Sequence, residues 1–120
     1  MKPVGSFALV LHAHLPYVLG HGTWPHGMDW IFEAAAETYL PLIRTLSKLE
    51  SEGLRPAVTV GLTPILCEQL KSEAFKDGFK TYLRQKAEAA RDDRLYFDRT
   101  SQGRMKMLAT MWEERYAELE

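Results

Sequence analysis

Among its 120 residues the chain has a single cysteine, Cys67. An internal disulfide is excluded, and such sparse thiol usage fits a reducing compartment, so a cytoplasmic protein is expected. Cys67 itself is expected to be a small half-buried thiol on a helix, because no base lies near it in sequence to activate a nucleophile. No apolar run approaches the ~20 residues that a membrane span needs. The stretch Phe7 to Leu11 is too short for a signal-peptide core and runs directly into His12 and His14, so no targeting signal is expected. An excess of either charge is also lacking. Fifteen basic residues face sixteen acidic ones for a net charge of −1, which gives no electrostatic footing for nucleic acid or an anionic membrane surface. Glycine and proline are too scarce for disorder, and no repeat or low-complexity tract is visible.

What is present is an alternation of strand and helix signals. Ser6 to His12 is a β-favouring run that is apolar on both faces, as in a buried strand of a parallel sheet. A long loop follows from Ala13 to Met28, marked by Pro16, Gly20, Gly22, Pro25 and Gly27. Asp29 is the expected N-cap of a helix beginning at Trp30. In that helix Ile31, Ala35, Tyr39, Leu42, Leu46 and Leu49 recur at helical spacing, Pro41 predicts a kink or a break, and Gly53 is the stop. A second buried strand is predicted over Ala57 to Gly61. Thr63 and Pro64 then form an N-cap and first-turn pair opening a helix from Ile65 to about Ser72. The rest is helix-forming and charged, with Phe79, Tyr82, Leu83 and Leu95 to Phe97 as candidates for burial and a break at Ser101 to Gly103 before a last helix, Met105 to Leu119.

The predicted fold class is α/β, in the order β-α-β followed by several helices. Two buried parallel strands need neighbours on both edges and helices on both faces. The final helix, Trp112 to Glu120, offers an apolar side with nothing evident to cover. An incomplete α/β barrel explains both features better than a self-contained small domain.

The chemistry-bearing residues stand at the end of the first strand, in His12-Ala13-His14-Leu15-Pro16-Tyr17. Active sites of α/β barrels lie at the carboxyl ends of the strands, and at strand spacing His12 and His14 point to one side. Both imidazoles could be metal ligands, as in barrel hydrolases with a His-x-His on the first strand, but no further ligand is identifiable for zinc. They could hydrogen-bond sugar hydroxyls, or they could be structural histidines at a strand end. Tyr17, Trp24 and Trp30, with His21 and His26 interleaved, favour the sugar site, because flat rings stack on the apolar faces of glucose units. Core packing competes for Trp30, whereas Trp24, between Thr23 and Pro25 in mid-loop, points to binding.

The segments Phe7 to Val18 (FALVLHAHLPYV), His21 to Pro25 (HGTWP), Ile31 to Ile43 (IFEAAAETYLPLI) and Gly61 to Leu70 (GLTPILCEQL) together resemble glycoside hydrolase family 57, more narrowly its branching-enzyme subgroup. The likeness runs over roughly residues 6 to 85. It implies the amino-terminal part of a (β/α)7 catalytic barrel that cuts an α-1,4-glucan and transfers the segment to a 6-hydroxyl, forming an α-1,6 branch with retained configuration. Retaining chemistry uses two carboxyls held ~5–5.5 Å apart, and the family's Glu nucleophile and Asp acid/base have no counterpart within residues 1 to 120. No metal or other cofactor is implied. By resemblance His12 and His14 line the donor side, Trp24 and Trp30 contact glucan near the acceptor side, and Thr63 with Pro64 shapes the cleft after the second strand; Tyr17 is a further expected glucan contact from its own place beside the aromatic loop. His26 stands where an aromatic residue is expected, and Met28-Asp29 where two acidic residues are commoner.

Residues 1 to 120 alone are therefore expected to be inactive, with the rest of the barrel as their partner. An α-amylase or 4-α-glucanotransferase of the same family, a metal-dependent barrel hydrolase using His12 and His14, and a non-catalytic glucan-binding remnant are the alternatives. Glu33 and Glu37, four apart on one helix face, are expected to be a solvated or capping feature rather than an acid/base pair. Glu113, Glu114, Glu118 and Glu120 are expected to form a charged helix face.

Overall fold

The computed structural model describes residues 4–55 and 57–120. Strand β1 (Leu9–Ala13) and strand β2 (Val58–Leu62) form a parallel pair in the register Leu9↔Val58 through Ala13↔Leu62. Between them run α1 (Met28–Ala34), a π-helical turn (Ala35–Tyr39) and α2 (Leu40–Ser51); after them come α3 (Pro64–Lys71), α4 (Glu73–Arg99) and α5 (Gly103–Leu119). The β-α-β order is as predicted, with shifted boundaries. Pairing begins only at Leu9, so Ser6 to Ala8 contribute no ladder. The strands are also not buried. Leu9, Val10, Val60 and Leu62 are exposed, because the described sheet has two strands and its outer edges adjoin no further strand.

Several cap assignments need correction. Helix α1 starts at Met28 with Gly27 at the N-cap, and Asp29 is its second residue. Pro41 interrupts the α-helical pattern as expected, with α1 and α2 separated by the π-helical turn. Lacking an N–H, and with a ring that would collide with the carbonyl four residues back, it follows one widened π turn in which the Leu40 N–H reaches the Ala35 carbonyl. Thr63 occupies the N-cap of α3, yet its hydroxyl makes no capping bond. Helix α4 has a true side-chain cap, the Ser72 hydroxyl accepting from the Phe75 N–H at 3.1 Å. It ends where Ser101 takes a left-handed φ of 56°. Cys67 is exposed rather than half-buried.

The core gathers where α1 crosses α4. Phe32 lies against Phe75, Phe79 and Tyr82 with ring centroids 5.7, 6.0 and 5.5 Å away. Gly78 makes this possible, since a Cβ there would sit 2.6 Å from the Phe32 ring. Leu15, Val18, Ile31, Leu66 and Leu83 complete the cluster.

The last helix is not left uncovered, contrary to expectation. It folds back on α4, burying Tyr116 edge-on against Tyr82, with Trp112 stacked on Tyr116 and Leu119 packed beside them. Leu95 and Tyr96, expected inside, are exposed near the tip of this hairpin. Three of its four expected acidic residues are engaged, Glu113 with Arg94 at 2.6 Å, Glu118 with Arg44 and Glu120 with Arg84, while Glu114 is exposed as expected. The Arg44 and Arg84 pairs are exposed and contribute ~0–1 kcal/mol each, whereas the Arg94–Glu113 pair is partly buried.

Glu37 also departs from expectation. It lies in the π turn, half-buried, and accepts a hydrogen bond from the Tyr116 hydroxyl at 3.1 Å. Burial, and then the Glu37 carboxylate, push the Tyr116 hydroxyl up to about 12, and burial raises Tyr82 further. The folded state thus keeps protons that the unfolded chain releases above about pH 10, so stability is full below that value and falls as pH rises through about 12. Thermal melts across this range, with tyrosinate absorbance recorded alongside, are expected to show this alkaline loss. Tyr116→Phe is expected to make it shallower, and an unchanged slope would remove Tyr116 from the explanation.

Candidate functional site at the strand ends

Parallel pairing brings the carboxyl ends of β1 and β2 side by side, where the Thr63 N–H donates to the Ala13 carbonyl at 3.3 Å. His12, His14 and Thr63 are thereby gathered on one edge of the sheet. The two imidazoles lie on the same side, nearly parallel, with ring centroids 6.2 Å apart. Gly61 stands opposite His12 in the ladder, and a Cβ there would lie 3.4 Å from His12 Nδ1, so the glycine leaves the ring its room. Both histidines are exposed. Thr63 Oγ1 is buried without a hydrogen-bond partner among the described residues. An apolar cavity of about 450 Å³ opens beside His12, between the sheet and α2, lined by Leu11, Leu42, Leu46, Val60 and Leu62 among others. Among the described residues no group of three or more His, Cys, Asp or Glu could hold a metal ion, and no helix is long and apolar enough to cross a membrane.

The loop between β1 and α1 carries the aromatic residues. Its first half is anchored by Leu15 and Val18, both buried, so that Tyr17 between them projects 58% exposed and meets His21 edge-on. Its second half folds into a closed turn. The Met28 N–H reaches the Gly22 carbonyl at 2.9 Å and the Asp29 N–H the Thr23 carbonyl at 3.1 Å, so loop carbonyls take up the donors that the first turn of a helix leaves free. Gly27 is required there, because a Cβ would come 2.2 Å from the Gly22 carbonyl oxygen. The turn holds Trp24 out, 81% exposed, and it makes no ring contact among the described residues. Trp30, 39% exposed, lies against His26 with centroids 5.6 Å apart. The structure thus joins His12 with His14 and places Tyr17 and Trp24 on a rigid loop leaving the same strand end. It puts Trp30 on α1 beside His26.

One residue of the site was missed from the sequence. Gln69 of α3 is fully buried, its Oε1 accepting from the Val18 N–H at 2.7 Å and its Nε2 donating to the Pro16 carbonyl at 2.9 Å. The available signal was its spacing: a polar residue three positions after the buried Leu66 sits on the inward face of a helix.

This edge brings together two exposed imidazoles, exposed flat rings and an apolar cavity. The model of glycosyl hydrolase family 57 matches residues 8–117. A 1,4-alpha-glucan branching enzyme of Thermococcus kodakarensis is 42% identical over 89 residues, covering 74% of this chain and 13% of that enzyme. The crystal structure of a GH57-type branching enzyme from Pyrococcus horikoshii superposes with a TM-score of 0.80 at 37% identity, over 92% of this chain and 21% of that one. An alpha-amylase, AmyC, from Thermotoga maritima gives the same TM-score and coverage at 26% identity. The chain therefore spans between about an eighth and a fifth of the length of these relatives.

Proposed function

This chain belongs to glycosyl hydrolase family 57, and from that membership we propose that it is the first part of a (β/α)7 barrel of a 1,4-α-glucan branching enzyme. Residues 1 to 120 then supply the strand-end wall of the glucan cleft. His12 and His14 bind sugar hydroxyls on the donor side, Tyr17, Trp24 and Trp30 stack on glucose rings, and Thr63 shapes the cleft where β2 ends. The observation that carries this is the convergence of both histidines and the Tyr17–Trp24 loop on the carboxyl ends of two parallel strands, where barrel enzymes keep their active sites.

The retaining carboxylates lie outside residues 1 to 120 in this proposal. Glu37 is occupied by Tyr116, and Glu33 is an exposed residue of α1, so neither is taken to replace them. The open edges of β1 and β2 and their exposed apolar residues fit the remaining strands and helices of the same barrel as the partner. A cytoplasmic place in glycogen synthesis suits the single cysteine and the glucan chemistry.

Hydrolysis or disproportionation within the family is the second reading, favoured by the equal superposition on the alpha-amylase; the higher identity to the branching enzymes argues against it. The test takes the native polypeptide that carries this sequence, captured with an antibody to its first 30 residues, and incubates it with amylose. New α-1,6 linkages, released by a debranching enzyme, are expected. Short maltooligosaccharides without branch points would assign the amylase or glucanotransferase reaction instead.

A further inference from the structure

Resting on the glucan-binding reading, we infer that Gln69 is the positioning residue for the Tyr17 loop, and so for affinity toward the glucan. Its two side-chain bonds go to Pro16 and Val18, the neighbours on either side of Tyr17. Fixing the carbonyl before a residue and the N–H after it removes most of that residue's backbone freedom. Tyr17 is thus presented outward by a clamp that never touches substrate. The partners are 51 and 53 residues away in sequence, so the clamp ties the loop after β1 to the helix after β2 and sets the two walls of the strand-end cleft relative to each other.

Gln69 is itself held. The Ser72 hydroxyl and the Ser72 N–H both donate to the Gln69 carbonyl, at 2.8 and 3.2 Å, and the same hydroxyl caps α4. The backbone of Gln69 is therefore held at the junction of two helices, and its side chain is fully shielded from water. Only a group that donates on one atom and accepts on the other satisfies both backbone partners; a leucine leaves both unpaired, and in a buried place that is costly. A carboxylate still accepts from Val18 but faces the Pro16 carbonyl with a second oxygen, which repels it. Protonated, the same carboxyl group donates to Pro16 and accepts from Val18, and the clamp is restored. Burial raises the pKa of such a carboxyl above the ordinary glutamate value, bringing the switch into an accessible range.

The experiment uses the native polypeptide carrying this sequence and measures its affinity for maltoheptaose between about pH 5 and pH 8, for wild type, Gln69→Glu and Gln69→Leu. Selective labelling of tyrosine follows the Tyr17 ring resonances in the same samples. Each variant is read as a ratio to wild type at the same pH, because the histidines of the site are common to all three proteins. Gln69→Glu is expected to bind roughly tenfold more weakly at about pH 8, to recover as pH falls, and to show Tyr17 resonances that shift with the same midpoint. Gln69→Leu is expected to stay weak throughout. Wild-type affinity in Gln69→Glu at about pH 8, or a loss with no acid recovery and a static Tyr17, would overturn the clamp. If wild type binds no maltoheptaose while Tyr17 still follows the carboxyl in Gln69→Glu, the clamp stands as geometry and the glucan reading fails.

Discussion

Phe32→Ala is expected to cost about 3–5 kcal/mol of stability. Phe32 is the one ring that touches Phe75, Phe79 and Tyr82 together, and it is the contact through which α1 is held on α4. Gly78 has been cleared of a side chain beneath it, so the surroundings have no nearby group to collapse into the space. A domain has only about 5–15 kcal/mol in total, and loosening α1 also frees the closed turn that presents Trp24. Urea denaturation followed by circular dichroism reads the effect as a fall in midpoint at nearly unchanged slope. A loss below about 1 kcal/mol would mean that the helices are held mainly by other contacts.

Trp24→Ala is expected to weaken binding of maltoheptaose about thirtyfold, close to 2 kcal/mol, while leaving stability unchanged. A ring 81% exposed contributes almost nothing to the fold, so its removal is a clean test of binding. The turn that carries it is closed by the Gly22–Met28 and Thr23–Asp29 backbone bonds, which lowers the backbone ordering cost when a sugar stacks on the ring. Calorimetric titration of the native polypeptide measures the change. Equal affinity in the variant would leave Trp24 without a role at the strand ends.

How far these features can be read from sequence depends on whether the signal is local. Both strands and the helix between them were legible because β-favouring runs and 3.6-residue spacing are properties of single segments. Pro41 announced an interruption, but whether it becomes a break or a π turn depends on the surroundings, including the docking of Glu37 on Tyr116. Asp29 looked like a cap because the capping groups actually used are backbone carbonyls of Gly22 and Thr23, which have no residue signature. The burial of Tyr116 and Trp112 was missed because it depends on α5 turning back along α4, set by the left-handed Ser101. Leu95 to Phe97 were expected inside on hydrophobicity alone, whereas only Phe97 is half-buried and Leu95 and Tyr96, near the hairpin tip, are exposed. At the candidate site, the His12–His14 pair and the ring-bearing loop were legible from spacing. Gln69 was not, since its role exists only once α3 lies under the loop.

The most direct test of an α-glucan site at these strand ends is electrophoresis of the native polypeptide through gels with and without amylose. Retardation by amylose, relieved by added maltoheptaose, is the predicted result. Mobility unaffected by amylose, in a polypeptide that circular dichroism shows to be folded, would contradict it.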